Sequence, residues 1–167
     1  MNKMKRGLAA VGVTLVLLYS GGARAQAGGG FDLITAAEAQ QTAKAELEAP
    51  PEIRTRQILV PKTNVPGIRV ISPSAAGTAV AAPLRIELAF TPMPGTRIVP
   101  STFRVLYGLL KIDLTDRLRQ HATVTETGVV VDRAVVPEGQ HRLILQVADD
   151  LGNTAEQELR IRVGAAS

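Results

Sequence analysis

The chain of 167 residues contains no cysteine, no tryptophan and only two histidines; three phenylalanines and two tyrosines are its whole aromatic content. Each shortage closes a class of function. Without cysteine there is no disulfide, no thiolate metal site and no lipid on a cleavage-site cysteine. His121 and His141 stand 20 residues apart, outside any zinc-binding spacing, so they read as a surface residue and a structural strand-end residue. Beyond residue 25 the aromatics are Phe31, Phe90, Phe103 and Tyr107, and the last three alternate into a strand pattern. No stacking surface remains for a sugar ring or for single-stranded nucleic acid.

The formal net charge of +4 belongs to the first 25 residues, which hold Lys3, Lys5, Arg6 and Arg24 and no acid. Without these four, 15 basic residues face 15 acidic ones, and the excess positive charge that polyanion binding needs is gone. Met1 to Arg6 is a cationic stretch, Gly7 to Ser20 an uncharged apolar run, and Ala23-Arg24-Ala25 a small-x-small site. That is the layout of a secretory signal peptide cleaved near Ala25. The 14-residue run would rise about 21 Å as a helix, short of the roughly 30 Å hydrocarbon core, which argues against a permanent span. The expected product is periplasmic or secreted.

After the leader (1–25), residues 26–66 read as a Gly-rich tether, a short helix and a Pro-containing linker. Thr35 and Glu38 have capping-box spacing, the following residues to Ala49 are rich in Ala, Glu, Gln and Lys, and Pro50-Pro51 stops the helix. Its apolar positions are mostly Ala, so it reads as a solvated spacer. The alternative is a docking element built on Phe31, Leu33 and Ile34, an apolar patch with no other evident use.

From Ile68 the hydrophobic period becomes two. Ile68 and Val70; Leu84, Ile86, Leu88 and Phe90; Phe103, Val105 and Tyr107; Leu110, Ile112 and Leu114; Val129 and Val131; Leu143, Leu145 and Val147; and Leu159, Ile161 and Val163 predict about seven half-buried strands. The stretches between them carry turn residues, while Thr115 to His121 reads as one helical turn capped by Asp113 or Thr115 with Leu118 inward. No long helical period interrupts residues 67–163, which excludes a βαβ nucleotide-binding architecture. Residues 164–167 form a tail.

The run Gly139-x-His141-x-Leu143-x-Leu145-x-Val147-x-Asp149-x-x-Gly152-Asn153 resembles the final hairpin of bacterial immunoglobulin-like domains of exported proteins. The resemblance implies an all-β, immunoglobulin-like antiparallel β-sandwich over residues 67–163. His141 stands where the family commonly has a Tyr that ties the strand to a nearby backbone carbonyl, and a neutral imidazole can donate a similar bond. Such modules serve as spacers, adhesin segments and accessory domains, so the fold by itself names no activity.

Ser72, Ser74, Ser101 and Ser167 lie in no Gly-x-Ser-x-Gly elbow, and the nucleophile–base–orienter pattern is missing, so the chain reads as non-catalytic and without a cofactor. A small envelope hydrolase is the enzyme alternative. Asp149, Asp150 and Asn153 gather oxygen atoms on one turn and are the calcium candidates, with Asp113, Asp116 or Asp132 as distant contributors; a Ca²⁺-stiffened adhesin-type module is the metal alternative. Against it, Asp149 and Asn153 are residues that routinely bond their own turn. The remaining expectation is a structural or protein-interaction module whose partner is another envelope protein. Glu158, Arg160 and Arg162 face outward on the last strand, either to discourage edge association or to mark a docking edge.

Overall fold

Alternation of apolar and polar side chains demands two layers, since one sheet cannot bury its apolar face alone. A computed structural model describes residues 29–50, 63–73 and 79–164 and shows those layers. The expected leader and its cleavage site, most of the linker and the last three residues lie outside the described residues. One sheet contains β2 (Gly67–Ser72), β3 (Leu84–Thr91) and β7 (Gly128–Val135), in the order β7-β3-β2. The edge of β7 that β3 leaves free is shared by β6 (Ala122–Val124), antiparallel, and β1 (Phe31–Asp32), parallel. The facing sheet runs β5 (Ile112–Asp113), β4 (Ile98–Tyr107), β8 (Gly139–Asp149), β9 (Thr154–Val163). Strands β2, β3, β7 and β6 opposite β5, β4, β8 and β9 follow the ABED-against-C′CFG arrangement of an immunoglobulin-like sandwich. The chain is an all-β sandwich.

Most of the core consists of residues that the period-two pattern points inward. Ile86, Leu88, Phe103, Val105, Tyr107, Val129, Val131, Leu143, Leu145, Val147, Leu159 and Ile161 are all buried, and Phe90 packs against Phe103 with ring centroids 5.6 Å apart. At about 1.5–3 kcal/mol per large apolar side chain, this interior is the main favourable term of the fold.

Three expectations are corrected. The segment Leu110 to Leu114 is not an extended strand: Gly108 to Lys111 turns, Leu110 is 46% exposed, and only Ile112 and Asp113 pair with β4. Positive φ at Gly108 and Lys111 takes the chain out of the extended region there. Second, β4 begins at Ile98, inside a stretch read as a loop, because Pro100 to Thr102 form an irregularity in a longer strand. The Thr102 hydroxyl accepts from Ala148 N and donates to Val99 O, while the Arg119 guanidinium donates to the carbonyls of Pro100, Ser101 and Phe103. The loose backbone groups of a Pro-containing strand are thereby paired.

The third correction concerns the N-terminal arm. The helix forms as the sequence reads: α1 spans Ala36–Glu48, and the Thr35–Glu38 capping box is complete. It is not a solvated spacer. Leu33 and Ile34 are 0% and 1% exposed within the sandwich core, Leu33 N donates to Val135 O, and β1 adds to β7. A marginal helix is held in place by the apolar residues that precede it, with Thr42 as its buried residue.

Candidate functional site

The β7–β8 corner is built around His141. Strand β8 points this residue into the sandwich end, where it is 5% exposed. Its Nε2 lies 2.8 Å from the Pro137 carbonyl, which only accepts, so Nε2 carries the proton. Nδ1 is then a lone pair, and the Tyr107 hydroxyl donates to it at 2.9 Å. Burial pushes the His141 pKa down and the Tyr107 pKa up, which keeps both groups neutral. The imidazole thus ties its strand to the Pro137 carbonyl and adds a second tie to β4. Both ring nitrogens are engaged, so His141 offers no free base.

Helix α1 closes over this corner. Gly108, at φ +64°, comes so close to Thr42 that a Cβ there would overlap the Thr42 side chain. The Thr42 hydroxyl nears the Tyr107 phenol without reaching bonding geometry and is buried without a partner. A concavity of about 330 Å³ lies between the helix and the corner, lined by Ala39, Thr42, Ala43, Tyr107, His141 and Arg142 among others. The helix is anchored from the far side by α2 (Thr115–Arg119), whose Arg117 meets Glu38 at 2.8 and 2.9 Å and also donates to Leu33 O at 2.8 Å. The Arg117 hydrogen bond holds the Glu38 carboxyl at about 2, well below the usual carboxylate range. The carboxylate therefore joins the helix cap, the arm and the sandwich in one ionised cluster.

The calcium candidates are at the opposite end. In the ladders, Asp113 is opposite Leu106 and Leu106 opposite Ile144, whereas Ile98 is opposite Asp149, so about 17 Å of β8 separates Asp149 from the level of Asp113. Asp149 Oδ1 accepts from Leu151 N, Asn153 N and Asn153 Nδ2, and Oδ2 from Asn153 Nδ2 at 3.0 Å. The Asn153 side-chain bond comes first among the causes that lower the Asp149 pKa. Asp150 Oδ1 is taken by Arg97 N at 3.0 Å. Asp132 pairs with Arg85, and Asp113 Oδ1 accepts from Thr115 N; the N-cap position of α2 is Leu114, with no side-chain cap, so neither Asp113 nor Thr115 caps it, while Leu118 is buried as expected. These carboxylates are not brought together, and no group of three or more metal-ligating side chains occurs among the described residues.

The other candidates are also dispersed. His121 is exposed and stacks on Phe31 with ring centroids 4.0 Å apart, whereas His141 is buried against Tyr107 and Pro137. Ser72 Oγ donates to Arg85 O, Ser101 lies exposed in β4, and Ser74 and Ser167 are outside the described residues. Tyr107, Thr42 and the Glu38–Arg117 pair were not singled out as site residues by the sequence. Tyr107 carried a signal in its strand position, since a Tyr on an inward face must find a partner for its hydroxyl; Arg117 carried none.

No helix among the described residues is long and apolar enough to cross a membrane. No protein-family model matches the chain, and no curated protein matches it. Among solved structures, the chain is similar to CopC from Methylosinus trichosporium OB3b, at 15% identity and a TM-score of 0.42, over 60% of this chain and 97% of that one.

Proposed function

We propose that this protein is an exported, non-catalytic immunoglobulin-like module of the bacterial cell envelope that acts by docking a protein partner. The observation that carries the reading is how the reactive side chains are used. Both His141 nitrogens and the Asp149 carboxylate are bonded within the fold, and His121 is stacked on Phe31. The leader pattern supports export, and the absence of a net basic charge after it supports a protein rather than a polyanion as partner. Loops and edge strands are the surfaces such a sandwich offers.

Affinity purification from the native envelope after cross-linking tests this. Recovery of a defined second protein is expected; recovery of this chain alone, or of a chain that still carries Met1, overturns the corresponding half of the proposal.

A further inference from the structure

The two sheet edges on the β2 and β9 side of the sandwich are guarded differently. Strand β2 is six residues long, with a register shift between Val70 and Ser72 and Pro73 directly after it. Strand β9 is ten residues long, contains no proline, and pairs with β8 from Thr154 to Val163 without a shift. An edge that is long, regular and free of proline is a template for another strand.

The direction of its free groups is determined. Val80 N donates to Arg162 O, and Gly164 N to Val80 O, so the even-numbered residues at this end turn their backbone groups to the free edge. Alternation along an unshifted strand extends this to Arg160, Glu158 and Glu156, with the Glu158 carbonyl accepting from Gln157 Nε2 at 2.9 Å, a side-chain bond that an added strand displaces. Beside them a groove of about 440 Å³ separates β9 from β2, with Ile68, Val70 and Leu159 among its lining residues.

The charges on this edge are self-complementary. We propose that β9 pairs antiparallel with β9 of a second copy of this chain, about a two-fold axis at Leu159. In that register Glu158 lies opposite Arg160 of the second copy, and symmetry repeats the pair; Glu156 and Arg162 are not paired, because Val80 already occupies the edge beside Arg162. A shift by two residues in either direction puts Glu158 opposite Glu158 or Arg160 opposite Arg160, and a shift by one turns the free backbone groups away from each other. Arg160 has a side chain 79% exposed and free to exchange its pairing with Glu158 of its own strand for Glu158 of the other. The ladder is continuous over residues 157–161; the Val80 bridge occupies the edge at 162–164 and limits backbone pairing there. This inference concerns only the folded domain and holds whatever the envelope partner is.

The test is sedimentation velocity of the purified protein across a wide concentration range. A monomer–dimer equilibrium is expected, weakened at least tenfold by Arg160→Glu and restored by the charge swap Glu158→Arg/Arg160→Glu. A wild-type chain that stays monomeric, a dimer indifferent to Arg160→Glu, or a folded swap that does not recover overturns the proposal. Because Glu158 also lies 4.0 Å from Arg142, the swap can unfold; hydrogen exchange on the wild-type chain gives a reading without substitution. The Glu158 and Arg160 amides gain protection as concentration rises, while Leu159, bonded toward β8, stays protected throughout. No gain at Glu158 and Arg160 in samples where the dimer forms places the contact elsewhere and refutes the pairing.

Discussion

At the residue scale, His141 is a position where one side chain satisfies two neighbours. His141→Phe removes the partner of the Tyr107 hydroxyl and of the Pro137 carbonyl; each orphaned group costs about 1–3 kcal/mol, measurable by urea unfolding. Tyr107→Phe orphans only Nδ1 and is the milder change. Leu145→Ala and Ile86→Ala each remove buried core volume and should cost about 2–5 kcal/mol; a negligible loss at both would mean that the inner face has been misidentified. His141 and Tyr107 were assigned from the sequence to a strand end and an inward face, but their mutual bond spans 34 positions of chain and could not be read from spacing.

The element scale is where the N-terminal arm belongs. Glu38→Gln keeps a capping residue but removes the charge that meets Arg117, and a hydrogen bond to a charged group is worth about 1.5–3 kcal/mol. The expected result is faster hydrogen exchange across Ala36–Glu48, with β8 and β9 unchanged. Gly108→Ala should release the same helix by another route, since the added methyl enters the space of Thr42 at a positive φ. Thr42→Ala in that background should recover part of the loss, and full additivity of the two changes in a double-mutant cycle would show that they do not meet. The capping box made α1 legible; its docking was not, because a Leu and an Ile before an Ala-rich helix do not say which surface receives them.

For the whole molecule, acid should destabilise without any compensating gain. His141 has its folded-state pKa lowered, so the unfolded chain binds the proton more readily, and the stability present above about 6.5 declines as pH falls through that value. Glu38, lowered from 4.5 to about 2, contributes stability above 4.5 that is lost on descent toward 2, and Asp113 and Asp149 act in the same direction. Thermal melts from pH 8 to pH 2 should show a monotonic fall in two stages; a rise on acidification between pH 7 and 5 would contradict the buried neutral imidazole. Millimolar Ca²⁺ should leave the melting temperature at neutral pH unchanged, because the Asp149 oxygens are already bonded to their own turn.

How much of this was legible in the sequence follows from the range of each interaction. Period-two alternation specified which side chains face the core from Leu84 to Phe90 and from Leu143 to Val163, since that signal is local and repeats with the pleat. The cap at Thr35 and the turn at Asn153 were likewise readable, because each is closed within four residues. The three-dimensional arrangement alone settled the place of α1, the partner of Arg117 79 positions away, the exposure of Leu110 and the freedom of the β9 edge. These depend on which strand lies beside which, and chain closure between distant residues leaves no periodic mark on the residues it joins.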